Sequence, residues 1–295
     1  MKVLLTGSNG FIARNISKSF KENGFDVIGV GIEEKNKNPY VSTYCKWSLG
    51  HESIPNFLKK FKIDCIVHTA SLIDGNDDNI ELLYSNCIGT YQIYELSKAL
   101  KVKSVIVLSS VPVIGLHCNK IIDDKTNYNP QTMYHATKAS QELILNQLSK
   151  YNIRYCALRL PSPIGPGQPE KTIVPIFVRK AMENEDIVLF GKGTRKQNYV
   201  DVRDIAECVF FLTKNELTQG VYLIGSNKTI SNYELANICI DITGSESKIR
   251  YNKVQDPNDD DEWKINCERL AESGFKLKYS IRNTIADMVR YNEGL

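Results

Sequence analysis

Tyr134 and Lys138 stand four residues apart in the stretch Met133-Tyr-His-Ala-Thr-Lys138. On a helix that spacing puts both side chains on one face. A phenol titrates near pH 10 and is a poor base at neutral pH. An ammonium at about 4 Å, with an effective dielectric near 20, favours the phenolate by roughly 4 kcal/mol, or about 3 pKa units. The pair therefore suits proton exchange with a sugar or alcohol oxygen while a hydride moves at the adjacent carbon. Lys138 would also bond the ribose beside a nicotinamide. The run "SVIVLSS" ends in Ser109 and Ser110, the second of them 24 residues before Tyr134. A serine at that end would meet the same cleft, at the carboxyl edge of a parallel sheet, and orient the reacting oxygen.

Such chemistry needs a dinucleotide site. Thr6 to Ala13, "TGSNGFIA", lies between the apolar run "KVLLT" and a segment with apolar residues at 12, 16 and 20 that closes on Gly24. Small residues there let the backbone turn sharply and approach a pyrophosphate resting on a helix N-terminus. Gly7, Asn9, Gly10, Phe11, Ile12 and Ala13 are the candidate contacts. An acid for the ribose 2′-hydroxyl is expected about 20 residues on. Gly31 stands at that place, with Arg14, Lys35 and Lys37 near enough to neutralise a 2′-phosphate. The expectation is NADP(H) over NAD, unless the loop is short enough for Glu33 to reach the ribose.

The elements that must position these residues alternate. Apolar runs at 26–31, 63–71, 104–110 and 154–160 are separated by helical stretches at about 79–100 and 133–150. That pattern predicts an α/β fold, a Rossmann doubly wound parallel sheet. After Leu160 the texture changes: "PSPIGPGQPE" holds four prolines and two glycines. A smaller mixed α/β substrate domain is expected from about 161–200 plus 226–295, with 1–160 plus about 201–225 forming the dinucleotide domain.

Length and charge bound the rest. The chain has 295 residues, 42% hydrophobic and 24% charged, with a net charge of +3. Dispersed lysines make no case for nucleic acid or a membrane surface. No apolar run reaches the roughly 20 residues that span a bilayer, and the N-terminus does not look like a secretion signal. The expectation is a cytoplasmic protein. Eight cysteines without a C-x-x-C pair read as buried thiols, and four histidines show no metal-ligand spacing.

Taken together, Thr6–Ala13, His68-Thr-Ala-Ser71, Asn86, Ser109-Ser110 with Gly115 five beyond, Tyr134/Lys138 and "LRLPSPIGPG" resemble the extended short-chain dehydrogenase/reductases. More narrowly they are similar to the nucleotide-sugar epimerase/dehydratase/ketoreductase group, nearly end to end. The resemblance implies that Ser110, Tyr134 and Lys138 are catalytic, and that Ala70 and Asn86 join the cofactor site. Ser71, Ser162 and Val174 would meet the substrate, along with Thr172–Arg179 and the 195–203 segment. A homodimer through 79–100 and 133–150 is implied too. Two positions depart from the pattern. Val111-Pro112 follow Ser110 where dehydratases carry an acidic pair, which argues against elimination of water. Gln197 stands where a diphosphate-clamping arginine is usual, leaving Arg195 or Arg203 to replace it. The expected activity is reduction of a 4-keto nucleotide sugar. A C4 epimerase with retained NAD is the alternative, and a non-catalytic dinucleotide-binding module is the alternative from another class.

Overall fold

The computed structural model describes residues 1–115, 121–252 and 254–294. The chain runs β1 (Lys2–Thr6), α1 (Phe11–Glu22), β2 (Asp26–Gly31), β3 (Thr43–Lys46), β4 (Cys65–His68), α2 (Gly89–Leu100), β5 (Ser104–Ser110), α3 (Met133–Asn146) and β6 (Arg154–Leu160). It continues through β7 (Ser162–Ile164), α4 (Ile173–Met182), β8 (Ile187–Leu189), β9 (Lys196–Gln197), β10 (Tyr199–Asp201), α5 (Val202–Lys214) and β11 (Gly220–Leu223). The last elements are β12 (Ile230–Ser231), α6 (Asn232–Thr243), β13 (Ile249–Tyr251), α7 (Glu268–Glu272) and α8 (Ile281–Asn292).

Seven strands form one sheet in the order β11-β6-β5-β4-β1-β2-β3, and every pairing in it is parallel. The central strands β1, β2, β4, β5 and β6 are mostly apolar because both faces are covered. Val3 and Leu5 of β1 pack with Ile16 and Phe20 of α1 and Val209 and Leu212 of α5. Leu4, on the opposite face, packs with Ile93 and Leu96 of α2 and Leu145 of α3. The chain leaves β1 towards β2 on one side, while β4 lies on the other. The crevice above the carboxyl ends of β1 and β4 is the switch point where such sheets bind ligands.

The local pattern did not predict β3. Its four residues are half-buried or exposed at the sheet edge, so they carry no apolar run. The helix expected over 79–100 becomes regular only at Gly89, after a wider π-type turn at Leu83–Ile88. The helix expected over 133–150 ends at Asn146 and tightens into a 3₁₀ turn over Gln147–Tyr151.

A second apolar core lies away from the sheet, built by α4, α6 and α8 around Phe177, Val178, Leu235, Ile285 and Met288. The proline-rich stretch supplies β7, which pairs in parallel with β10. The C-terminal third does not all stay with this second core. Trp263 and Ile265 pack on Val111 and Val113, and Leu270 of α7 joins the core of the sheet. Cys65, Cys156, Cys208 and Cys239 are buried free thiols, and Cys45, Cys87 and Cys267 are half-buried. Cys118 lies outside the described residues. No helix among the described residues is long and apolar enough to cross a membrane.

Candidate active site

A cleft of about 600 Å³ opens above the switch point, lined at one end by Gly7, Gly10 and Glu33 and at the other by Ser110, Tyr134 and Lys138. Gly7 has φ +63°, and a Cβ there would stand 2.9 Å from the Ala70 backbone. Only glycine lets the loop turn this tightly against the end of β4. Gly10 caps α1 without a side-chain bond, and no acid sits in the first turn. The free N–H groups of α1 are thus open to an anion. Phe11, Ile12, Ala13 and Ala70 also line the cleft.

The adenosine end differs from expectation. Glu33 enters the cleft beside Gly31, and its Oε2 accepts from Asn9 Nδ2 at 3.0 Å. Tyr44 Oη donates to the Glu33 carbonyl at 2.8 Å, and Lys37 N donates to Asn9 Oδ1 at 2.9 Å. These bonds fold the chain after β2 back over the glycine loop. A Cβ at Gly31 would lie 2.9 Å from that carboxylate oxygen, so the glycine makes room for the acid two residues later. Arg14 does not line the cleft. It is exposed and donates to the Lys37 carbonyl at 2.6 Å. A carboxylate therefore lines this end of the cleft, two positions beyond Gly31, and the basis for preferring NADP(H) is gone.

At the reacting end, β5 presents two serines. Ser109 donates to the Glu142 carboxylate, which also takes the Tyr128 hydroxyl at 2.8 Å and Arg159 Nη2 at 3.0 Å. Both serines line the cleft, but the Ser109 hydroxyl is bonded to Glu142 and helps hold β5, α3 and β6 together. Tyr134, Lys138 and Glu142 fall one turn apart on a single face of α3.

The electrostatics depart from the simple pair. Burial pushes the Tyr134 phenol up to about 12, with a Ser71 hydrogen bond drawing it back down. Burial pulls Lys138 down to about 8, and the Glu142 charge opposes that fall. The Lys138 ammonium donates to Gln141 Oε1 at 2.5 Å. The Lys138 ammonium keeps its charge while it bonds Gln141, and burial is the largest influence on the phenol's ionisation.

Several other expected contact residues stand away from the cleft lining. Asn86 is fully buried and takes no part in lining the cleft. Its amide donates to the Leu72 carbonyl and Thr137 Oγ1, and accepts from Leu72 N and Ser71 Oγ. It pins the loop after β4 to α3 and leaves nothing for a ligand. Ser71 does line the cleft. Pro161 and Pro163 line it too, but Ser162 between them does not, because strand residues alternate faces. Val174 is 1% exposed and belongs to the second core. Arg203 is committed to Asp201 and Asp287 and stacks on Tyr279. Gln197, with its amide oxygen turned towards Arg195, accepts from Nε and Nη2 at 3.0 Å each. Neither residue lines the cleft. Trp47, Ser48 and Leu49, which line it, have no sequence signal beyond their place after β3.

The profile of the NAD dependent epimerase/dehydratase family matches residues 3–225. A dTDP-D-glucose 4,6-dehydratase from Dictyostelium discoideum is 26% identical over 273 residues, covering 82% of this chain but 62% of that relative. A putative UDP-glucose 4-epimerase from Methanocaldococcus jannaschii is 24% identical and covers 98% of this chain and 97% of its own length. Among solved structures, the UDP-glucose 4-epimerase of Thermotoga maritima with UDP-glucose superposes with a TM-score of 0.89 at 22% identity, covering 100% and 99% of the two chains. That of Thermus thermophilus, in complex with NAD, gives 0.88 at 19% identity, over 100% and 99%.

Proposed function

The chain belongs to the NAD dependent epimerase/dehydratase family, and from that premise we propose that it is a nucleotide-sugar 4-epimerase that retains NAD through the reaction. The Glu33 carboxylate carries this reading. It lies where the adenosine ribose would sit, offers an acceptor to a 2′-hydroxyl, and repels a 2′-phosphate. A cofactor kept in place through both halves of an epimerisation needs such a hold, whereas an NADPH-dependent reductase needs the opposite charge. The similar epimerases from Thermotoga and Methanocaldococcus support the same direction.

Bound NAD would supply the acceptor and donor of hydride at the sugar carbon. Tyr134 Oη takes the proton of the sugar hydroxyl on the outward half and returns it to the oxygen on the inward half. Ser110 Oγ bonds the same oxygen and holds it against the phenol. Lys138 Nζ bonds the ribose and supplies positive charge behind the phenol. Pro161 and Pro163 shape the cleft without polar groups that would fix one rotamer of the keto sugar. Dehydration needs an acid at this end. Glu33 is the one carboxylate lining the cleft among the described residues. It sits by β2, three strands from β5 and so about 14 Å away. Val111 and Pro112 are buried and apolar.

The test is to incubate the purified chain with catalytic NAD and UDP-, dTDP-, GDP- and CDP-hexoses, following the products by proton NMR. The C4 epimer is expected, with no net consumption of cofactor. Stoichiometric oxidation of NADH or NADPH by a 4-keto sugar would overturn the reading in favour of a reductase, and a 4-keto-6-deoxy product in favour of a dehydratase. NAD at about 100 times its Kd should stabilise the fold by about 2.7 kcal/mol. NADP should do less, and Glu33→Gln should narrow the gap.

We also infer that two copies pair through α2 and α3. Tyr84, Ile88 and Tyr91 form an exposed stripe at helical spacing, and Leu143 of α3 is 52% exposed. Sedimentation should show a dimer that Tyr91→Lys converts to monomer; a monomeric wild type would overturn the pairing.

A further inference from the structure

Behind Tyr134 and Lys138 runs a chain of buried polar groups that begins at the glycine loop. Thr6 Oγ1 accepts from the N–H groups of Thr69 and Ala70, at 3.2 and 3.1 Å. Both lone pairs are then filled, so its one proton goes to His68 Nδ1, 2.8 Å away. That choice fixes the tautomer: His68 carries its proton on Nε2 and donates it to Thr90 Oγ1 at 3.0 Å. Thr90 in turn donates to the Asn86 backbone carbonyl at 2.5 Å. Gln141 Nε2 donates to the same carbonyl at 3.2 Å, and Gln141 Oε1 accepts from Lys138 Nζ. The Gln141 amide can face only one way, with its oxygen to the ammonium and its nitrogen to the carbonyl. Its 3.4 Å approach to His68 Nε2 is then a contact between donors. Thr6, His68, Asn86, Thr90 and Gln141 are all 1% exposed or less.

We propose that Gln141 is a positioning residue: its carboxamide ties the Lys138 ammonium to the Asn86 carbonyl, and so to the chain that starts at the cofactor loop. The inference rests on the reading of Lys138 as the group that bonds the nicotinamide ribose. An ammonium has three N–H groups. Gln141 takes one and aims the others at the cleft that Lys138 lines. The Asn86 carbonyl, in the π-type turn at Leu83–Ile88, accepts from both the Thr90 hydroxyl and the Gln141 amide.

The groups facing Lys138 are few. On α3 they are Tyr134 and Glu142, and Glu142 is already paired with Arg159 of β6. On β4 there is His68, which burial and the Lys138 charge hold neutral, down at about 3. The end of β5 adds serines. Removing the Gln141 oxygen therefore leaves the buried ammonium with the distant Glu142 charge alone, and the charged form becomes harder to keep.

The test compares Gln141→Leu, which removes the acceptor, with Gln141→Glu, which turns it into a carboxylate. The ionisation midpoint of Lys138 is read by NMR of protein labelled with [ε-13C]lysine, the signal being assigned with Lys138→Arg. The midpoint, about 8 in the wild type, should fall by about one unit in Gln141→Leu and rise in Gln141→Glu. NADH affinity at pH 8, followed by fluorescence, should fall about fivefold in Gln141→Leu, as the charged fraction of Lys138 drops from about one half to about one in eleven, and should not fall in Gln141→Glu. A Lys138 midpoint that stays put in both variants, or moves the same way in both, overturns the proposal. If Gln141→Leu fails to fold, the direction of the shift in Gln141→Glu decides. Wild-type protein that does not bind NADH would overturn the functional reading instead, while the lysine midpoint would still decide the role of Gln141.

Discussion

Tyr134→Phe is expected to lower turnover by about 10² to 10⁴-fold, the usual worth of a positioned acid–base group, while NADH still binds. The substitution removes one oxygen and keeps the ring. The reason for so large an effect lies in how the phenol is held. Burial pushes its ionisation up to about 12, so the neutral phenol is the dominant form at pH 7. The pair read from sequence, tyrosine plus lysine, does not by itself make a base. Lys138 is anchored to Gln141, and the phenol is desolvated. The positive charge that an oxidised nicotinamide would bring to the cleft would favour the phenolate. The ultraviolet signal of tyrosinate should move to lower pH when NAD is added, and the shift should vanish in Tyr134→Phe. Turnover within threefold of wild type in that variant would show that the chain uses another base or only binds its cofactor.

The largest stability effect is expected at Glu142. Glu142 and Arg159 are 1% and 2% exposed, and the carboxylate also holds Ser109 and Tyr128. Glu142→Ala leaves a guanidinium buried without a counter-charge, which costs roughly 3–5 kcal/mol. The denaturant midpoint should fall with little change in slope. Glu142→Leu combined with Arg159→Met should recover much of the loss, because no lone charge remains. A single-variant loss below about 1 kcal/mol would mean that water reaches this pair and that it does not lock β5, β6 and α3. The Lys138 charge, which Glu142 supports, should also weaken. Its charged form is lost as pH rises through about 8, and without Glu142 that loss should come at lower pH.

Much of the site was legible because it is built from neighbours in the chain. Gly7 and Gly10 follow a strand and open a helix, and that order alone marks a phosphate cradle. Tyr134 and Lys138 share a face because four residues make about one helical turn. Gly31 shows how far such local reading extends. The missing acid pointed to NADP(H), but a short loop returned Glu33 to the same place through bonds from Asn9 and Tyr44.

By itself, the sequence determined most of the alternation of strands and helices, the glycine turn before α1 and the shared helical face of Tyr134 and Lys138, because each depends on periodicity within a dozen residues. Tertiary structure decided that the Ser109 hydroxyl is bonded to Glu142, that Asn86 and Val174 are spent inside the protein, and that Lys138 is held by Gln141. Those outcomes depend on the register of β4 and β5 and on how α3 seats against them. The bonds concerned join residues such as Thr6 and His68, 62 positions apart, or Asn86 and Gln141, 55 apart. No local pattern encodes that distance; the packing of one element on another sets it.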